Sequence, residues 1–221
     1  MGELRFADTE TLADLGTYVT RARSLDPDGA IRLQSFGTKL AAYVGVLPGQ
    51  GLMTTGAIIG LRVMALAEPE PADVDVDVGV GVDVDVDVTV SLASVSDRLA
   101  RGVTSTLSIP PTMVSVGWAA KAPPRSGWER VGELSVADLR TAAMQGIAEI
   151  AQGAPEGSGA VAVAALRQRV WARDSHTTPP IPSGAAFAAY ALGFLTGESA
   201  QVFAHGRWTR VSTVTGHVLV R

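Results

Sequence analysis

Cysteine is absent from the 221 residues. That excludes disulfide scaffolds, thiol nucleophiles, iron–sulfur clusters and zinc sites built on Cys. Histidine is scarce: His176, His205 and His217 are the whole supply, with no H-E-x-x-H and no close pair to seat a metal. Of 18 basic residues only Lys39 and Lys121 are lysine. Alongside heavy Ala, Val and Gly usage this is the texture of GC-rich codons, so arginine abundance carries no functional argument.

The common catalytic and phosphate-binding signatures are also missing. Gly51-Leu-Met-Thr-Thr-Gly56 has the spacing that opens a P-loop, but Ala57 and Ile58 stand where Lys and Ser/Thr must reach phosphate and Mg²⁺. Gly79-Val-Gly81 lacks the third glycine and the helix of a dinucleotide site. Gly197-Glu-Ser199-Ala-Gln201 fails the last position of a nucleophile elbow. A Ser/His/Asp set assembled in space from any of the three histidines stays open, since triads are defined by geometry. No cofactor is implied, and no metal. The N-terminus offers no signal peptide, because Glu3, Arg5 and Asp8 interrupt any apolar core, so a cytoplasmic location is expected.

What is present suits a globular chain. Hydrophobic residues make up 47%, too many for disorder, and a chain of this length buries roughly 70% of its unfolded surface. The net charge of −4 is local in origin. Residues 1–110 hold 15 acids against 8 bases, and residues 111–221 hold 7 against 10. Six of the acids are Asp73, Asp75, Asp77, Asp83, Asp85 and Asp87, inside the run DVDVDVGVGVDVDVDVTV of residues 73–90. Strict alternation predicts a two-faced strand. Straight, it would run about 60 Å, longer than a compact domain of this size, so a bend at Gly79 and Gly81 is expected, giving an acidic hairpin or a partly ordered loop. Carboxylates strung along a line do not converge as calcium requires.

The fold class predicted is α+β. Residues 1–120 read as an antiparallel sheet with one helix. The helix lies over 9–24 behind Asp8, and strands are expected at 30–36, 40–47 and 57–67. No charge occurs between Lys39 and Arg62, a run long enough for a bilayer, but Pro48-Gly-Gln-Gly51 in its middle reads as a turn between strands. A short helix is expected from a capping box at Ser94–Asp97 to Gly102, and a further strand over 112–120. Residues 121–221 read as three helices ending in a β-hairpin, within one compact domain or as a second one. The first helix follows Ser135, the second covers 159–173, and the third covers 184–195, capped by Ser183 and stopped by Gly197. The third, GAAFAAYALGFL, carries no charge and is apolar all round, so it must be wrapped by its own fold or by a neighbour.

Three groups of residues are candidates for interaction. Phe187, Tyr190 and Phe194 are a contact face if that side of the third helix is not internal. Trp128, in a Pro/Gly loop with Arg125 and Arg130, either plugs the junction of the two halves or serves as a recognition loop. After Glu198 no acid remains, and Arg207, Trp208 and Arg210 lie on the terminal hairpin. Three helices and a hairpin is the element order of a winged helix, which makes nucleic acid an alternative partner. Against it, the third helix offers no Arg, Lys, Asn or Gln to phosphates or bases.

The segments Ala122–Glu129 (APPRSGWE) and Gly206–Arg221 (GRWTRVSTVTGHVLVR) resemble conserved hypothetical proteins of actinobacteria, and the Asp-Val run looks foreign to that pattern. The resemblance implies no activity. The function expected is that of a non-catalytic soluble protein acting by self-association (a homo-oligomer) or by binding a protein partner, with no membrane involvement. The alternatives are a nucleic-acid-associated protein and a small-molecule enzyme with an unrecognised site.

Overall fold

The computed structural model describes residues 2–49, 55–68, 86–101, 104–155 and 157–221. Helices and antiparallel strands are both abundant, as the α+β reading requires. The chain forms two compact units, Met1–Val44 with Arg62–Ser115, and Gly45–Leu61 with Val116–Arg221. Both boundaries in the first half of the chain fall inside strands.

In the first unit, β1 (Glu3–Arg5) pairs with β6 (Thr106–Ser108). Helix α1 (Thr9–Leu25) starts where Asp8 Oδ1 accepts the Thr11 amide at 2.6 Å, and it buries Leu12, Leu15, Tyr18, Val19 and Ala22 along one stripe. Strand β2 (Ala30–Phe36) bonds to β3 (Lys39–Leu47) on one side and to β5 (Asp87–Ser91) on the other, while β4 (Ile58–Ala65) ends in this unit. Of the Asp-Val run only its last residues are described; positions 73–85, with the expected bend, lie outside. Where β5 is seen the alternation behaves as read: Val90 is buried, and Asp87 binds Arg32 through two 2.7 Å bonds and Gln34 at 2.9 Å.

Two expectations for this region are corrected. Helix α2 (Leu92–Arg101) begins before the expected box, because Ser91 leaves β5 and accepts the Ser94 amide at 3.1 Å, so that Leu92 and Val95 fall on the buried stripe. The strand over 112–120 is not formed. Met113 makes a single bridge to Val90, and Gly117–Ala120 is a 3₁₀ turn. Pro110 and Pro111 supply no amide to a ladder, and Met113 is 68% exposed, so nothing there rewards an extended pairing.

In the second unit the strand order is β4, β10 (His217–Val220), β9 (Trp208–Ser212), β8 (Ser199–His205), β7 (Glu129–Ser135), antiparallel throughout. The chain's last strands are therefore interior members of a sheet, hydrogen-bonded on both sides, and not the free wing of a winged helix. Between β7 and β8 come α3 (Val136–Gly153), α4 (Ala160–Ala172) and α5 (Ser183–Ala191). Ser135 Oγ caps α3 by accepting the Asp138 amide at 3.2 Å.

Helix α5 departs from expectation at both ends. Ser183 is its first residue and makes no side-chain cap. At the other end the Phe194 amide bonds Ala189 O at 2.7 Å and the Gly193 amide bonds Tyr190 O at 3.0 Å, with Gly193 at φ +73. This is a Schellman closure. It stops the helix before Gly197 and turns Phe194 inward. The apolar stretch is wrapped as required: Ala185, Ala186, Ala188, Ala189 and Leu192 are buried. The wrapping is close, since a Cβ on Gly184 would stand 2.6 Å from Ile58 and one on Gly146 of α3 would stand 2.2 Å from the Trp171 ring. Trp171 stacks on Phe187 with centroids 4.4 Å apart. Among the described residues no helix is long and apolar enough to cross a membrane.

Candidate functional site

The register of the second unit sorts its strand residues into two sets. Val202, Val211 and Val218 are cross-strand partners, each 1% exposed. Their neighbours Phe203 and His205 on β8, Arg210 and Ser212 on β9, and His217 on β10 project from the opposite face. Just before β7, the Pro123-Pro124-Arg125-Ser-Gly127 loop brings Trp128 to these residues. Gly127 sits at φ +75, and the indole Nε1 donates to Pro124 O at 2.9 Å.

Arg210 is the centre of the group. Its guanidinium carbon lies over the Trp128 ring at 4.6 Å and over the Phe203 ring at 4.4 Å. No carboxylate among the described residues pairs with it, and its Nε is buried without a hydrogen-bond partner. Burial lowers its pKa, yet a guanidinium keeps its charge throughout the physiological range. The cation is held by aromatic faces instead of an anion. His205 packs on Trp128, with ring centroids 5.9 Å apart. A second such contact sets Arg221 5.7 Å from the Trp208 ring.

Two polar groups flank the stack. His217 Nδ1 is 2.9 Å from Ser212 Oγ. Burial first, and the Arg210 charge second, push the His217 pKa down to about 4. This Ser–His pair therefore makes a poor nucleophile and base, because an imidazole that weak cannot hold a proton taken from serine at neutral pH. On the other side Glu133 accepts from Arg130 at 2.7 Å and from Gln201 at 2.8 Å, while Arg130 Nε also donates to Gln201 Oε1. Bonds from Ser199 and Gln201, then the Arg130 charge, keep the Glu133 carboxyl ionised below its usual range. That carboxylate is already engaged.

The residues singled out from sequence are distributed unevenly. Trp128 and Arg210, assigned to separate hypotheses, touch. Arg125 and Arg207 are exposed nearby in sequence, and Trp208 is half-buried under Arg221. The aromatic trio of the third helix does not make one exposed face: Phe187 is half-buried against Trp171, Phe194 is 0% exposed, and Tyr190, at 36%, is exposed. Sequence reasoning passed over Phe203 and Ser212, and took His217 only as one of three histidines open to a Ser/His/Asp set. The alternation Ser199-Ala-Gln201-Val-Phe203-Ala-His205 carries the signal, since it places every polar or aromatic residue of β8 on one side. Among the described residues no group of three His, Asp or Glu is placed to hold a metal. The first unit has an open hollow lined by Ala7, Thr38, Val63, Met64 and Leu66, with Lys39 and Glu68 as its charged members.

Comparison with known proteins locates this architecture. Residues 1–83 match one domain of unknown function, DUF8010, and residues 123–221 match another, DUF8185. No curated protein matches the chain. Solved structures do. The Helicobacter pylori beta clamp bound to a DNA ligase peptide is 10% identical, with a TM-score of 0.50, over 100% of this chain and 65% of that one. The DNA polymerase III subunit beta from Pseudomonas aeruginosa is 8% identical, with a TM-score of 0.51, over 100% and 64%. The H. pylori clamp in complex with 5-chloroisatin is 9% identical, with a TM-score of 0.51, over 100% and 63%. The chain is similar in fold to beta clamps. It spans less than two thirds of their length, and at this identity the likeness is one of fold alone.

Proposed function

We propose that this protein is a non-catalytic binding protein that works by associating with protein partners, a second copy of itself or another protein. The observation that carries the reading is the fold. The chain resembles beta clamps along its whole length, one of them in complex with a DNA ligase peptide. The second unit supports it from chemistry: its face opposite Val202, Val211 and Val218 offers half-buried aromatics around an arginine with no carboxylate partner among the described residues, which is the residue composition of binding hot spots. Of the residues expected to make contact, Arg125 and Tyr190 are exposed, Trp128 and Phe187 are half-buried, and Phe194 is buried. The nucleic-acid alternative through Arg207, Trp208 and Arg210 draws less support, because the rings of Trp128, Phe203 and Trp208 already carry guanidinium groups.

The test is association in solution. Light scattering over a range of concentrations reads self-association, and partners captured by the immobilised chain are purified and re-bound individually. A concentration-dependent rise in mass, or a purified partner binding saturably, is expected. A strict monomer with no partner surviving purification overturns the reading.

A further inference from the structure

We propose that Arg210, held by Trp128 and Phe203, is the docking point for a side-chain carboxylate of an acidic peptide segment; this rests on the reading of the chain as a protein-binding protein and names the class of partner. Three observations converge. The cation has no anionic partner among the described residues, and the only carboxylate placed on its strand face next to β8, Glu133, is bound to Arg130 and Gln201. A half-buried guanidinium without an anion leaves unmet hydrogen-bonding capacity that a bound carboxylate satisfies. The two rings hold the group flat, so the entropy normally lost when an arginine side chain is immobilised by a ligand is already lost in the free protein. With the faces engaged by aromatics and Nε buried, the terminal N–H groups form the accessible edge, and such an edge fits a carboxylate in plane.

The surroundings favour a short acidic peptide over a nucleic acid. From Ser199 to Arg221 there is no acid, and Arg207 and Arg221 add to the local positive field. Exposed Glu129 and Glu133 lie on adjacent β7, however, and they oppose a continuous polyanion. A single strand also needs free rings on which bases stack. Trp128, Phe203 and Trp208 are engaged with guanidinium groups.

The experiment is calorimetric titration of the full chain with a capped acidic decapeptide of alternating Glu and Gly, with its Gln counterpart, and with single-stranded DNA of equal length. Expected is saturable binding of the acidic peptide alone, weakened roughly tenfold or more by Arg210→Gln and less by Arg210→Lys. Chemical-shift mapping on the unmutated chain reads the site without relying on a variant that folds: the Arg210 Nε–Hε and Trp128 Nε1–H signals should move on peptide addition. The inference is overturned if the acidic peptide does not bind, if the Gln peptide or DNA binds as well or better, if Arg210→Gln leaves affinity unchanged, or if the shifts map elsewhere. Association of the unmutated chain with itself or a protein partner, together with no binding of the acidic peptide, would sink this inference alone. Absence of both would remove the binding reading too.

Discussion

Acidification should destabilise the protein in a window set by one side chain. His217 is mostly buried between β9 and β4, bonded to Ser212 and close to the Arg210 charge, and its pKa is lowered from 6.5 to about 4. In the unfolded chain the same imidazole takes up a proton near 6.5, whereas the folded protein refuses it until about 4. The unfolded state thus binds more protons between those values. Stability is complete above 6.5, falls as pH drops through the interval, and stops falling on this account below 4, where both states are protonated. A lowering of that size corresponds to ~3 kcal/mol, a large share of the 5–15 kcal/mol typical of a domain. Urea denaturation at a series of pH values measures it, and ring NMR of His217 measures the titration directly. The carboxyls held low, Asp8, Glu133 and Glu149, act in a separate and more acid range. In His217→Gln the slope between 6.5 and 4 should disappear, and Arg210→Met should raise the His217 pKa. An unchanged slope in His217→Gln, or a His217 resonance titrating near 6.5, refutes the account.

Other substitutions probe the packing. Gly146→Ala should destabilise by about 1–3 kcal/mol in thermal or chemical melts although alanine is the better helix former, because its methyl would lie 2.2 Å from Trp171; a stabilised variant would show that the ring yields freely. Phe194→Ala should cost about 3–5 kcal/mol and Tyr190→Ala under 1 kcal/mol, since the first side chain is fully buried and the second lies at the surface. If Tyr190→Ala instead abolishes any self-association seen by light scattering without loss of stability, that residue lies in the contact. Trp128→Ala should cost about 2 kcal/mol, less than a fully buried tryptophan, because the ring is half-buried and contributes mainly through Arg210 and one hydrogen bond; denaturant melts decide.

Local chemistry was legible wherever a residue acts on its immediate neighbours. Asp8 and Ser135 announce helices because their side chains reach amides three residues on, and the extent of β2 follows from alternation with turn residues at both ends. A helix of uninterrupted small and apolar residues has to be covered, and Ala185, Ala186, Ala188, Ala189 and Leu192 are, while Tyr190 stays at the surface. The two-residue turns Gly37-Thr38 and Gly206-Arg207, with glycine φ of +52 and +56, obey the same local rule. The order strand, helix, three strands occurs twice, as β1-α1-β2-β3-β4 and as β7-α3-β8-β9-β10 with α4 and α5 inserted. The pair Leu12-Ala-Asp-Leu15 and Val136-Ala-Asp-Leu139 is its faint trace in the residues.

Pairing and stacking were another matter. Nothing in the linear order says that the last three strands are flanked by β4 and β7, because strand partners are chosen by faces meeting across long separations in the chain. Trp128 and Arg210 are 82 positions apart, and their contact exists only because β7 and β9 both border β8. The same holds for the orphaned charge. An arginine reads identically in a sequence whether or not a carboxylate waits for it, and only the folded arrangement leaves Arg210 with two aromatic rings and no anion among the described residues.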